Sequence, residues 1–296
     1  MSRADGAACE PYTAHAERTF FFLTPDYNEI LQTAVIIARE AGALLRQGLG
    51  EANHINYKGE VDLVTEYDER AEALIVDALQ RAFPEHAIHT EERGVVAGHA
   101  DDEAAYRWLI DPLDGTTNFA HGFPVFAVSL ALLARNPGGD GRDRPVVGVV
   151  YDPTRDECFS AARGEGAALN GRALHVSPTP TLNTALLATG FPYDRRTRPD
   201  NNVGNMGRFI RRCQGIRRAG AAALDLAYVA CGRLDGHWEL SVKPWDTAAG
   251  GLLIMEAGGR ISNMRGGRWT PFERDVLATN GRIHDQLLAA LGQGLE

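Results

Sequence analysis

A chain of 296 residues with 44% hydrophobic and 23% charged side chains has ample material for a buried core, as one large domain or two intimate halves. A formal net charge of −9 and a pI of about 5.5 work against nonspecific binding to nucleic acid or anionic membranes. They do not exclude an anionic substrate, because bound metal ions reverse a local field.

In chain order, residues 1–24 lack the apolar middle region of a secretory signal. They read as a loosely ordered extension, with the Phe20–Leu23 run docking it onto a body that starts at residue 25. Apolar residues at Ile30, Leu31, Ala34, Val35, Ala38, Ala41 and Leu45 predict an amphipathic helix from Tyr27 to about Gly48. Thr65 and Asp68 have capping-box spacing and open a second helix that Pro84 closes. From Arg107 the texture changes to strands: RWLID, VFAVSLALLAR, PVVGVVYDP and ECFSAAR, with NPGGDGRDRP as an exposed turn. GEGAALNGRAL is a glycine-rich connection rather than a dinucleotide fingerprint, since Leu169 stands where the third glycine belongs. Helices are expected at 201–213, 221–232, 246–257 and 283–291, with short strands LDGHWEL and GRISN between them. Helices, then a mostly antiparallel block, then alternating elements predict a layered α/β fold. No apolar run is long enough to span a bilayer. Cys9, Cys158, Cys213 and Cys231 have neither CxxC nor zinc spacing, which fits thiols in a reducing cytoplasm.

Potential metal-binding residues occur in four places: Asp62 and Asp68, Glu91 and Glu92, Asp111 and Asp114 in DPLDGTTNF, and Asp246 in KPWDTAAGG. Magnesium takes hard oxygen ligands, and a two-metal site needs bridging carboxylates. Asp111 and Asp114, separated by Pro112 and a tight turn, can bring two carboxylates and the Leu113 carbonyl into one small volume. Gly115 allows close backbone approach to an anion, and a helix starting there would offer amides to phosphate. Taken singly, each residue has a plainer reading: Asp111 as a strand end, Asp114-Gly115 as a turn, Glu91 and Glu92 as solvated surface, Asp246 as a helix N-cap. His121 reads as a packing or hydrogen-bonding residue. A calcium loop fails, because the twelfth position counted from Asp111 is Gly122 rather than Glu.

DPLDGTTNF followed by WDTAAGGLLIMEAGG resembles the paired signature of the inositol monophosphatase family of magnesium-dependent, lithium-sensitive phosphatases. DLVTEYD and TEE fall where that family has its other acidic segments, and the resemblance runs from about residue 27 to the C-terminus. It implies alternating α-β-α-β-α layers, a homodimer, Mg2+ as cofactor and a small phosphate ester as substrate. By the same resemblance Glu91, Asp111, the Leu113 carbonyl, Asp114 and Asp246 would hold metal, with Asp111 bridging. Thr116, backed by Glu91, would orient the attacking water, while Asp68, and less directly Glu92, would support the water shell. Gly115 and Thr116 amides would meet the phosphate. Ala222, Glu239, Asp114 and Asp246 would face the alcohol. Ala221 departs from the Ser or Thr common in relatives, which leaves the alcohol open. The implied reaction is hydrolysis of myo-inositol monophosphate. Histidinol phosphate, fructose 1,6-bisphosphate, a 3′-phosphoadenosine nucleotide or a non-catalytic regulatory role are the alternatives.

Overall fold

The computed structural model describes residues 26–50, 55–57, 63–96, 104–135, 139 and 141–292. The expected extension, Cys9 and Asp62 lie outside the described residues. Helix α1 spans Tyr27–Gly48 and is N-capped by Asp26, whose carboxylate accepts from Asn28 N at 2.8 Å. Strands β1 (Ile55–Tyr57) and β2 (Leu63–Thr65) pair antiparallel ahead of α2 (Glu66–Ala82). The predicted capping box is present: Tyr67 N donates to Thr65 Oγ1, and Thr65 N donates back to Asp68.

The long sheet contains β3 (Ala87–Thr90), β4 (Gly94–Val96), β5 (Tyr106–Asp114), β6 (Ala127–Ala134), β7 (Arg144–Asp152), β8 (Glu157–Ala162), β9 (Gly166–Leu169) and β10 (Arg172–Ala173). The five-residue helix α3 (Thr116–Ala120) follows β5 directly. Strand order is β10-β9-β8-β7-β6-β5-β3-β4, antiparallel except for β3 against β5. GEGAALNGRAL is therefore a hairpin, not a mere connection. Asn170 and Gly171 at its tip both have positive φ, as a two-residue type I′ turn requires. In the exposed turn before β7, Gly139, Gly141 and Arg142 are solvent-facing, while residues 136–138 and 140 are outside the described set.

The second half contributes β11 (Leu186–Thr189), α4 (Val203–Phe209), β12 (Gly215–Arg217), α5 (Ala222–Ala230), β13 (Gly236–Leu240), α6 (Pro244–Glu256), β14 (Arg260–Ser262), β15 (Asp275–Thr279) and α7 (His284–Gly292). The helix expected over 201–213 shortens to α4, after which Cys213, Gln214 and Gly215 lead straight into β12. The second sheet has the order β12-β11-β13-β15-β14.

Period-two alternation assigns each strand face to a different layer. Trp108 and Ile110 of β5, Leu130 and Leu132 of β6 and Val147 and Val149 of β7 face α1 and α2. Leu109, Ala131, Leu133 and Val150 face the other way, onto α5 and α6. Ala188 and Ala278 of the second sheet close that middle layer. Leu187, Trp238 and Leu277 pack outward against Phe209 of α4 and Leu287 of α7. The result is the expected α-β-α-β-α stack. Contact between α6 and β7 is close enough that a β-carbon on Gly148 would sit 3.0 Å from the Ala249 carbonyl oxygen, so a larger residue would have to push the two elements apart by a few tenths of an ångström.

Candidate active site

Pro112 has no N–H to give the β5–β6 ladder, and the register slips between Asp111, opposite Ser129, and Asp114, opposite Ala127. The strand does not end at Asp111, as the sequence suggested. It bulges and runs on through Asp114, which turns both aspartates toward one cavity. Gly115 then takes φ 95°, and its place is bounded by the Val125 and Gly220 carbonyls, at 3.0 and 3.2 Å from any β-carbon. Asp111 accepts from Leu113 N at 2.9 Å. Asp114 accepts from Ala222 N at 3.1 Å and Ala223 N at 2.8 Å, the first amides of α5.

Asp246 sits at the third position of α6 and accepts from Lys243 N at 2.7 Å, so it is the acidic half of a capping box rather than the N-cap itself. Ser129 Oγ donates to Trp245 O at 3.0 Å and ties this helix start to β6. Glu91 follows β3, its amide donating to Ile110 O, and both Glu91 and Glu92 are half-buried rather than solvated surface. Glu92 N donates to the buried Glu72, which also meets Arg93 at 3.1 Å. Thr116 Oγ1 donates to Asp68 Oδ1 at 3.0 Å and lies 3.1 Å from Leu113 O.

These residues meet in a cavity of about 150 Å3 whose lining includes Glu91, Asp111, Leu113, Asp114, Gly115, Thr116, Ala222, Glu239 and Asp246. Asp68 stands behind Thr116, almost wholly buried. His121 is exposed and has no part in this arrangement.

The buried carboxylates raise one another's pKa values. Burial holds Asp111 well above the usual carboxylate range, and Glu91, Asp114 and Asp246 push it further. Asp246 is raised in the same way, by burial and then Glu91. Asp114 is pushed up to about 7 by burial, against the pull of its α5 amides, and Asp68 to about 6 by burial, against its hydrogen bonds from Thr65. Among the described residues no three acidic, His or Cys side chains enclose an ion by themselves. An all-oxygen, open set suits Mg2+, which keeps several waters and needs only one or two carboxylates before substrate phosphate arrives.

The profile of the inositol monophosphatase family matches residues 26–296. The chain belongs to that family. An inositol-1-monophosphatase of Synechocystis is 47% identical over 266 residues, covering 88% of this chain and 89% of that protein. Nus factor SuhB of Escherichia coli K12 is 43% identical, covering 88% and 94% respectively. The structure of inositol monophosphatase from Anabaena superposes with a TM-score of 0.80 at 43% identity, over 90% of this chain and 97% of that one. As an inositol monophosphatase family member the chain is a phosphoric monoester hydrolase, of a family that acts on small phosphate esters and depends on metal.

Several lining residues of this family member escaped sequence reasoning. Arg218 and Lys243 bring positive charge to the cavity. Asp225 lines it too, raised to about 7 by burial and partly relieved by His237. His237 is wholly buried, 3.3 Å from Glu239 and 3.7 Å from Asp225. Burial opposes its protonation, but the two carboxylates outweigh that and its pKa rises. The alternation in GHWEL puts His237 and Glu239 on one strand face, the one signal that pairs them. Gly190 supports Glu239 from beneath: a β-carbon there would meet Glu239 Oε1 at 1.9 Å.

Proposed function

We propose that the chain is a Mg2+-dependent phosphomonoesterase hydrolysing myo-inositol monophosphate to inositol and phosphate. The observation that carries this reading is the single cavity into which Asp111, Asp114 and Asp246 converge beside Glu91, with Glu239 in the same lining. Glu91, Asp111, the Leu113 carbonyl, Asp114 and Asp246 would hold the metal. When bound, Mg2+ supplies charge neutralisation for the phosphoryl group and acidifies water.

Thr116 orients the attacking water through its hydroxyl, itself fixed by Asp68 and the Leu113 carbonyl. Asp68 holds the position of that hydroxyl while remaining anchored by Thr65. Gly115 and Thr116 present backbone to the phosphate where no side chain intrudes. Glu239 accepts from vicinal hydroxyls of the alcohol, and Ala222 shapes the wall beside it. Arg218 and Lys243 draw the anionic ester inward.

A polyol suits a carboxylate wall, and histidinol phosphate is the rival that Glu239 also accommodates. A regulatory role is disfavoured by the intact carboxylate set, because clustered buried carboxylates are costly without a metal to hold. The name Nus factor describes those relatives. The reading includes a cytoplasmic homodimer, which sedimentation and fractionation would test; no described helix is long and apolar enough to cross a membrane.

The test is phosphate release from inositol 1-phosphate, histidinol phosphate, fructose 1,6-bisphosphate and 3′-phosphoadenosine 5′-phosphate, each with magnesium, with EDTA, and with magnesium plus lithium. Magnesium-dependent, lithium-sensitive preference for inositol 1-phosphate is expected. Preference for another ester overturns the substrate, and turnover that survives EDTA overturns the metal chemistry.

A further inference from the structure

A second cavity, of about 180 Å3, opens at the other end of the eight-stranded sheet. Arg144 begins β7 opposite Ala134, at the ladder end where Tyr106 begins β5, whereas Asp111 and Asp114 lie at the far end. Met255 of α6 also lines it, nine residues beyond Asp246, or about 14 Å along the helix. It is distinct from the phosphatase site.

Four guanidiniums surround this space: Arg142, Arg144, Arg163 and Arg268. Among the described residues Asp143 is the only acid in the lining, and it also lies 3.5 Å from Arg107 and 3.8 Å from Arg135, two further guanidiniums outside the cavity. Glu256, which acts on Arg163, has both carboxylate oxygens engaged by the Gly164 and Gly166 amides at 3.1 Å. On a protein with a formal charge of −9, this is a local reversal of field.

The arginines are also close enough to oppose one another. Burial holds Arg163 below the ordinary arginine value, Glu256 counters this, and Arg144 and Arg268 push it lower still. Arg163 donates twice to the Pro145 carbonyl, at 2.8 and 2.6 Å, which fixes that guanidinium in place. Trp269 adds a buried indole N–H with no hydrogen-bond partner among the described residues. The far edge of its ring rests on Gly251 of α6, where a β-carbon would come within 2.2 Å. The space far exceeds the roughly 10–15 Å3 that one water needs.

We propose that this cavity is a second, non-catalytic binding site for a small anion, held through a phosphate group by Arg144 of β7, Arg163 just after β8 and Arg268 in the segment after β14. Guanidinium forks match phosphate oxygens bidentately, and a doubly charged anion relieves the repulsion among the arginines.

The test is calorimetric titration of the full-length protein with inorganic phosphate and, separately, 2-glycerophosphate, in magnesium and again after EDTA. Binding that depends on the catalytic metal disappears with EDTA, so the resistant component reports the second cavity. That component is expected to weaken at least about tenfold in Arg268→Gln and in Arg144→Gln, and to persist in Arg218→Gln. Arg268 is exposed, so its variant should keep the wild-type melting temperature and its rate of ester hydrolysis. Equal binding of both anions identifies free phosphate as a sufficient ligand, and tighter binding of the ester shows that the attached body contributes. Absence of EDTA-resistant binding for both, or binding that survives both arginine substitutions, overturns the proposal.

Discussion

Replacing Gly190 with alanine drives a methyl group into the carboxylate of Glu239. The added carbon would lie 1.9 Å from Oε1 and 2.2 Å from Cδ, whereas ordinary contact begins at 3.4 Å, so the carboxylate must retreat by about 1.5 Å. Because φ at Gly190 is not in the left-handed region, alanine carries no backbone penalty there, and the effect comes from Glu239 alone. Retreat also breaks the 3.3 Å approach to His237. Misplacement of a positioning group by about 1 Å costs on the order of 100-fold in rate. Steady-state kinetics on inositol 1-phosphate should therefore show kcat/KM down by about 100-fold, with magnesium affinity unchanged because Gly190 touches no proposed metal ligand. Wild-type kcat/KM in a correctly folded Gly190→Ala protein would refute the placement of Glu239 against the substrate.

Thr116→Val removes a hydroxyl that Asp68 and Leu113 hold in place; kcat should fall by about 10²–10⁴ with KM little changed, and a fall in KM-limited binding alone would contradict its role with water. In metal-free protein, Asp68 and Asp114 have folded pKa values of about 6 and 7, above the unfolded value of 3.8, so the folded form binds their protons more tightly. Their stabilisation is full below about pH 4 and is lost as pH rises through 6 and 7. Melting of EDTA-treated protein should accordingly fall between pH 5 and 8, and magnesium should restore most at pH 8; a flat profile in EDTA would count against the buried-carboxylate account. Ala221→Ser places an ordinary N-cap on α5, usually worth about 1 kcal/mol. Asp114 already occupies the first amides of that helix, so the gain measured by denaturation should stay below about 0.5 kcal/mol.

Features set by neighbours in the chain could be read from the sequence. The Thr65–Asp68 box and the periodic apolar face of α1 are examples, and so is the closeness of Asp111 and Asp114 along the chain, although it is the bulge between them that turns both toward one cavity. Features set by distant partners could not. The bulge at Pro112 depends on the register against β6, and the α5 cap on Asp114 joins residues 108 and 109 positions apart. Strands β11, β12 and β15 are too short for period-two alternation to stand out, and β12, only GIR, carries almost none. The β9–β10 hairpin is different: Asn170-Gly171 is a strong local turn signal that the surrounding glycines obscured.

The carboxylate of Asp114 leaves the first sheet and ends on α5, which the chain does not reach until 108 residues later. At ribosomal speeds of roughly 5–20 residues per second, that interval is on the order of 5–20 s. Throughout it a nascent chain carries DPLDG with neither the amides that receive Asp114 nor Asp246, which shares its cavity. Hydrolytic activity thus arrives late in translation, and a ribosome stalled between residues 174 and 220 holds a protein whose larger sheet is fully written but whose active site does not yet exist.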